Sequence, residues 1–181
     1  MKEKHFDDFE LVQKALKGDR FAFGTIVRRY EFSVAKTVMG MLGNTQEAED
    51  VGQEVFIRFY RSMKQYKGDS ALSTYLIRIA INLSLNAIKK QKKRKTGDLD
   101  KIDFQLKDED YAEKADNAEI IEQALAKLPP DYRSVVVLRL IDGYSTKETA
   151  QLLKIPLGTV LSRLSRAQIK LKEILKTEYT F

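Results

Sequence analysis

The segment from Leu157 to Lys176 carries hydroxyl and guanidinium side chains at helical spacing. Its apolar positions recur every three or four residues and therefore share one face of a helix: Leu157, Val160, Leu164, Ala167, Leu171 and Ile174. Hydroxyl and guanidinium groups on the other face can bond to base edges or phosphates, and arginine most often reads guanine. We therefore expect duplex DNA contacts from Thr159, Ser162, Arg163, Ser165, Arg166 and Lys170.

A shorter helix is predicted just before this one. Ser145 and Glu148 have the spacing of a capping box. In a capping box the serine hydroxyl accepts from the backbone amide of the third helical residue, and the glutamate side chain reaches back to the amide of the serine. The capping box predicts a helix from Thr146 to Leu153, followed by a turn and the long helix. Two such helices form a helix-turn-helix, whose second helix enters the major groove.

The residues at the crossing are consistent with this interpretation. Ala150 is small and Val160 is apolar, so the two helices can approach closely. Lys154 occupies the turn position where glycine usually supplies a positive φ, at a cost on the order of 1 kcal/mol. Periodicity alone fits a generic helical hairpin with a solvated charged face equally well.

A second polar stripe lies on a predicted helix from Ser73 to about Lys93. Arg78, Asn82, Asn86 and Lys89 follow one another at helical spacing, with no acid between Ser70 and Gly97. Cations and amides beside exposed aromatic side chains, here Tyr66 and Tyr75, suit single-stranded DNA. The loop from Gly68 to Ser73 could hold an extruded base. The alternatives are a solvated amphipathic helix with a lysine tail and a core position for Tyr75.

A predicted helix from about Thr45 to Lys64 presents acidic residues to solvent. Ala48, Val51, Val55 and Phe59 are expected to pack inward, and the outward residues are Glu47, Asp50, Gln53 and Glu54. Carboxylates at this spacing could bind a metal, but the chain has no cysteine and one histidine, and no second carboxylate cluster accompanies them. A partner-binding or solvated face is the preferred interpretation, and no metal, cofactor or catalytic residue is expected.

The charge distribution indicates two basic modules and an acidic connection. The chain has 181 residues and a net charge of +6. From Asp98 to Glu119 there are nine acids and three lysines, a net of −6, so the rest of the chain carries +12. An excess of positive charge indicates an anionic partner such as nucleic acid. The acidic segment could mimic nucleic acid or fold back on the lysines at residues 89–95.

Helical periodicity throughout predicts an all-α protein of two small helical domains. We assign residues 1–93 to the first domain, 94–117 to a flexible acidic linker and 118–181 to the second. In the first domain we expect helices from Phe6 to Lys17, from Asp19 to Tyr30, and onward to Leu42. Neither a signal peptide nor a membrane-spanning run is recognisable. We therefore expect a cytoplasmic location and no membrane insertion.

Three segments together resemble a known family. They are AEDVGQEVF (Ala48 to Phe56), YKGDSALSTYLIRIAINL (Tyr66 to Leu83) and LPPDYRSVVVLRLIDGYSTKETAQLLKIPLGTVLSRLSRA (Leu128 to Ala167). In this order and spacing they resemble the extracytoplasmic-function (ECF) sigma factors. The resemblance implies a sigma domain 2, a linker and a sigma domain 4, which act with core RNA polymerase at promoters. It also implies an anti-sigma factor as an inhibitor, since members of the family are often inhibited in this way.

The resemblance also implies roles for individual residues. Asp50, Gln53 and Glu54 match the face that binds the clamp helices of the largest polymerase subunit. The recognition helix of domain 4 would read the minus-35 element. The match to the part that recognises and melts the minus-10 element comprises Gly68, Asp69, Ser70, Ser73, Tyr75, Arg78, Asn82 and Asn86.

The chain departs from the family pattern at several positions. Gly52 stands where an apolar or hydroxyl residue is usual, which weakens a helix by roughly 0.5 to 1 kcal/mol relative to alanine. Leu72 and Tyr75 replace an aromatic residue and a tryptophan, and Leu161 stands where a basic residue is frequent.

Other classes of function remain possible on sequence alone. A freestanding helix-turn-helix regulator would bind paired half-sites as a dimer. A nuclease would need an acidic metal cluster or an activated nucleophile, and a helical adaptor would not contact DNA.

Overall fold

The computed structural model describes residues 7–97 and 117–178. Every regular element within these two ranges is helical, as the sequence predicted. A 3-10 turn at Met63–Gln65 follows α3, and a π-helical segment at Val137–Ile141 continues α6. The α-helices are α1 (Asp8–Leu16), α2 (Arg20–Leu42), α3 (Gln46–Ser62), α4 (Leu72–Gly97), α5 (Asn117–Lys127), α6 (Pro130–Val136), α7 (Thr146–Leu153) and α8 (Leu157–Glu178).

The second helix differs from its prediction. The expected break at Tyr30 is wrong, because no glycine or proline stands at this point and α2 continues to Leu42. The Asp19 side chain caps its start by accepting from the amides of Phe21 at 2.9 Å and Ala22 at 3.1 Å. Gly43, with a φ of +75°, ends it in a conformation that side chains rarely adopt.

The N-terminal unit, α1 to α4, has its own buried core. The inward positions predicted on α3 are confirmed, since Ala48, Val55 and Phe59 are buried and Val51 packs partly buried against the core. On α4, Leu76 and Ala80 are also buried. The core includes Leu11, Val12, Ile26, Val34, Val38, Val55, Phe59, Leu72 and Leu76.

The C-terminal unit, α5 to α8, is built around α8. Pro130 occupies the first turn of α6, where its missing amide donor costs nothing. The widened π turn ends with the Asp142 amide donating to the Val137 carbonyl at 2.8 Å. The core buries Leu125, Leu128, Val136 and Ala167.

The two units pack directly against each other. Met41, Ile77 and Ile81 from the N-terminal unit form one buried cluster with Val137, Leu138 and Leu152 from the C-terminal unit. An added Cβ at Gly40 would lie 3.0 Å from a methyl group of Val137, so the approach of α2 is close. Sequence periodicity did not predict this interface.

Polar contacts at helix ends accompany this packing. The buried guanidinium of Arg133 donates to the carbonyl of Met41 at 2.6 Å, and burial lowers the pKa of Arg133. The Thr37 hydroxyl donates to the Asp142 carboxylate at 2.8 Å. Burial raises the pKa of Asp142, while the Thr37 hydrogen bond and the charge of Lys36 oppose this shift.

Some predictions fall at or beyond the edges of the described ranges. The helix α4 continues to Gly97, which is four residues into the range 94–117 assigned to the linker. Residues 98–116, with most of the acidic segment, and residues 1–6 lie outside the described residues. None of the described helices is both long and apolar enough to cross a membrane.

The first prediction concerns Gly52, which lies within α3. An added Cβ there meets no atom within 4 Å. We expect Gly52→Ala to raise the free energy of unfolding by about 0.5 to 1 kcal/mol and Tm by roughly 1 to 4 °C, measured by thermal unfolding. Gly40→Ala is the matched control, because its Cβ would press on Val137 and should lower Tm. A fall in Tm for Gly52→Ala would contradict the account.

The raised pKa of Asp142 predicts how the stability of the fold depends on pH. A carboxyl with a higher pKa in the folded state destabilises the fold progressively as the pH rises above its unfolded value. We expect Asp142→Asn to be more stable than the wild type at pH 7, and this advantage to shrink as the pH falls toward 4. Asp69→Asn, in an exposed loop, serves as the control. Lower stability of Asp142→Asn at pH 7 would refute this account.

Candidate nucleic-acid interface

The helix α7 begins with the predicted capping box. The Ser145 hydroxyl accepts from the Glu148 amide at 3.2 Å, and the Glu148 carboxylate accepts from the Ser145 amide at 2.8 Å. The hydrogen bond from the Ser145 side chain, followed by that from its backbone, lowers the pKa of Glu148. The capping box therefore fixes where the first helix of the helix-turn-helix starts.

The turn between α7 and α8 is left-handed at Lys154. Its φ of 54° and ψ of 44° are those usually supplied by glycine, as the sequence predicted. The Ile155 amide donates to the Ala150 carbonyl at 3.1 Å, and Val160 is fully buried. The short helix, tight turn and buried crossing support a helix-turn-helix over a generic hairpin.

The apolar face of α8 is confirmed except at its start. Val160 and Ala167 are buried, and Leu164, Leu171 and Ile174 pack partly against the core. Leu157 is 48% exposed, so its predicted inward position is wrong. It is the first residue of α8 and lies before the part of the helix that crosses the core.

The polar face of α8 is open at four of its six predicted positions. Thr159 and Arg163 are half-buried. Arg163 donates to the Asp131 carboxylate on α6 at 2.9 Å, a contact that no sequence pattern indicated because the residues are distant in the chain. The exposed positions are Ser162, Ser165, Arg166 and Lys170.

The stripe predicted on α4 lies on one side of that helix. Asn82, Asn86 and Lys89 are exposed, whereas Arg78 is half-buried. The Arg78 guanidinium donates to the backbone carbonyl of Gln151 on α7 at 3.4 Å. Three predicted residues are therefore open to solvent, and the fourth contacts the C-terminal unit.

The expectation that Tyr66 and Tyr75 are exposed aromatic side chains is wrong. Tyr66 is only 7% exposed, and Tyr75 is half-buried with its ring edge-to-face against Phe59 and Tyr66 at 5.9 and 5.6 Å. Burial, followed by the charges of Asp8 and Asp7, raises the pKa of Tyr66. These rings cover one another because apolar surface is more stable away from water. Tyr75 packs partly buried against the core, which is closer to the alternative of a core position.

The loop before α4 is shaped by the residues around it. Gly68 has a φ of +81°, and the Tyr66 hydroxyl donates to the Ser70 carbonyl at 2.9 Å. Gly68, Asp69 and Ser70 are exposed, and Ser73 is half-buried. Phe9 lies against Gly68, so close that a Cβ there would be 3.0 Å from its ring. Sequence reasoning missed Phe9, because its spacing indicates only a helical position.

The acidic face of α3 separates two surface depressions. Asp50 is exposed and Glu54 half-buried, and both line a polar recess that also includes Asn86 and Lys90. Gln53 is exposed and lines an apolar groove of about 290 Å³ between α2 and α3. The groove is lined by Val27, Val34, Met39, Ala48 and Phe56, with Glu31 and Glu49 among the polar residues.

Known proteins are similar to this chain in sequence. Residues 26–94 match the family model for sigma-70 region 2, and residues 118–171 match that for sigma-70 region 4. The chain is 34% identical to the ECF RNA polymerase sigma factor SigW of Bacillus subtilis over 91% of its length and 95% of that protein. It is 35% identical to the ECF RNA polymerase sigma-E factor of Escherichia coli, over 89% of this chain and 90% of that one.

A solved structure shows the same fold. RpoE of Bartonella quintana, in complex with the anti-sigma factor NepR, aligns with a TM-score of 0.68 and 22% identity. The alignment covers 85% of this chain and 96% of that one. From the sequence matches, the chain belongs to the ECF RNA polymerase sigma factors, which are not enzymes but factors for promoter-specific transcription initiation.

Proposed function

We propose that the two units read separate promoter elements while α3 holds core RNA polymerase. The observation that carries this proposal is the presence, on one chain, of a helix-turn-helix and a separate acid-free exposed stripe on α4. One surface suits duplex DNA and the other suits unpaired DNA. In this division the protein supplies recognition and polymerase supplies the chemistry.

The helix α8 is proposed to enter the major groove of the minus-35 element. Its N-terminal half is the part that a helix-turn-helix presents to base edges. Ser162 and Arg166 are exposed there, and Lys170 lies one turn beyond Arg166, where it can hold a phosphate. The ion pair with Asp131 restricts the orientation of the Arg163 side chain, so we expect Arg166 to contribute more to base recognition.

The helix α4 and its preceding loop are proposed to hold the melted minus-10 strand. The Asn82 and Asn86 amides can both donate to and accept from base edges, and Lys89 can follow the phosphates. Tyr66 is buried, so its proposed role is to shape the loop and not to stack on a base. Gly68, Asp69 and Ser70 form the exposed rim around the proposed base-binding position.

The outward face of α3 is proposed to bind the clamp helices of polymerase. Asp50 and Gln53 are exposed on this face, and Glu54 borders it beside the polar recess. Carboxylates around an apolar groove fit a helical partner that has basic residues beside an apolar stripe. We place this function in the cytoplasm, where promoter DNA and polymerase are found.

An anti-sigma factor is a further proposed partner. RpoE of Bartonella quintana, which shares this fold, was solved in complex with one. The acidic segment, most of which lies outside the described residues, keeps its proposed role as a mimic of nucleic acid. If the segment folds back on the lysines at residues 89–95 and restrains the free protein, removing its acids should change DNA binding by the free protein. Unchanged DNA binding would contradict that fold-back.

The polymerase proposal predicts the effect of charge reversal on α3. We expect Asp50→Lys with Glu54→Lys to weaken binding to core polymerase by at least about tenfold, because like charges across an interface cost several kcal/mol. Binding is measured with labelled protein and purified core enzyme, and circular dichroism checks the fold. The control is Glu10→Lys with Glu173→Lys, which makes the same change in charge at exposed positions elsewhere. Equal affinities of the two variants would contradict the proposal.

The minus-35 proposal predicts the effect of removing one arginine. We expect Arg166→Ala to weaken binding to a promoter duplex by roughly 5- to 150-fold, the range for an arginine that contacts a base. The measurement is a gel-shift titration with holoenzyme at fixed salt. Arg20→Ala, at an exposed position at the start of α2, removes the same charge as a control and should bind normally. Unchanged affinity of Arg166→Ala would favour a protein that does not use α8 to read DNA.

A further inference from the structure

The N-terminal helix α1 lies outside the part of the chain that matches the region 2 family model. That match begins at residue 26, whereas α1 spans Asp8–Leu16. The helix nevertheless packs against both α2 and the 3-10 turn that leads into the loop before α4. It is therefore placed to influence a surface that the matched region contains.

One acidic residue fixes the position of α1. Arg29 donates to the Asp8 carboxylate at 2.5 Å, and the Tyr30 hydroxyl donates to its other oxygen. Burial, together with the Asp8 hydrogen bond and charge, raises the pKa of Tyr30, so its hydroxyl remains a donor at physiological pH. Leu11 and Val12, one turn further on, are buried in the core. The start of α1 is thus held to the middle of α2.

The next residue, Phe9, reaches the loop. A Cβ built on Gly68 would lie 3.0 Å from the Phe9 Cδ2 atom and 3.2 Å from Cε2. Phe9 is itself 42% exposed, so removing its ring should leave most of the buried core intact. Its ring lies against the loop that precedes α4, at the glycine whose φ is +81°.

Tyr66 also holds the loop. The Tyr66 ring is buried against Tyr75, and its hydroxyl donates to the Ser70 carbonyl at 2.9 Å. Gly68 therefore lies within a segment closed by a hydrogen bond and against the Phe9 ring. A loop held at both of these points keeps one shape, and a fixed shape lowers the entropy lost when a ligand binds.

We propose that Phe9 is a positioning residue for the minus-10 strand. Its ring presses on Gly68 and keeps the rim of Gly68, Asp69 and Ser70 in the shape that receives an unpaired base. This inference rests on the proposed function, because it assumes that the loop binds promoter DNA. It assigns to α1 a role in DNA recognition without any DNA contact by α1.

The test compares Phe9→Ala with the wild type in holoenzyme. The probes are a single-stranded oligonucleotide from the non-template strand of a promoter mapped by run-off transcription, and the same bases in scrambled order. We expect Phe9→Ala to lower the ratio of matched to scrambled affinity by about fivefold to tenfold. Without the Phe9 ring, the loop would no longer hold the binding site in one geometry. Binding to core polymerase and Tm should change little, since Phe9 is partly exposed.

Two further variants separate positioning from general structure. Phe9→Tyr keeps the ring against Gly68 and should restore the wild-type ratio. Phe21→Ala removes a phenylalanine that is 86% exposed on α2 and should have no effect. If Phe9→Ala keeps the wild-type ratio while the wild type discriminates between the two probes, the inference is overturned. If the wild type does not discriminate, the minus-10 proposal itself fails, and the inference fails with it.

A double-mutant cycle tests the contact itself. Gly68→Ala should reduce the ratio in the wild-type background, both because of its positive φ and because the added methyl group would displace the Phe9 ring. In the Phe9→Ala background there is no ring to displace, so the same substitution should reduce the ratio by a smaller factor. Independent, additive effects would show that the two residues do not act through each other and would overturn the inference.

Discussion

The burial of α4 on two sides is the constraint on which the rest of the structure depends. Leu72, Leu76 and Ala80 enter the core of the N-terminal unit, while Ile77 and Ile81 enter the cluster shared with the C-terminal unit. With 3.6 residues per turn, two buried faces leave one narrow face for polar residues. The amides and cations of the proposed minus-10 surface lie on this remaining face, so the same packing that builds the core also orients the surface.

Local sequence patterns were sufficient for much of the architecture. The capping box at Ser145, the left-handed turn at Lys154 and the buried Val160 each follow from rules that act over a few residues. The inward stripe of α3 follows from its 3.6-residue period in the same way. These features depend on residues close together in the chain, so sequence patterns can predict them.

The features that sequence missed depend on distant contacts. The ion pair of Arg163 with Asp131 and the contact of Phe9 with Gly68 each join residues that only the fold brings together. Tyr66 was expected to be exposed because an aromatic residue beside a basic helix suits nucleic acid, but its ring is buried against Tyr75. The joint cluster between the units was also missed, because an apolar stripe does not specify which surface will cover it.

We propose that this chain directs polymerase to promoters through two separate surfaces. Run-off transcription of fragmented genomic DNA from its own organism, with purified core enzyme in the presence and absence of the protein, tests it most directly. We expect discrete transcripts that require the protein and begin downstream of two sequence elements at a fixed spacing. Transcripts that are the same with and without the protein, or that share only one element, would contradict it.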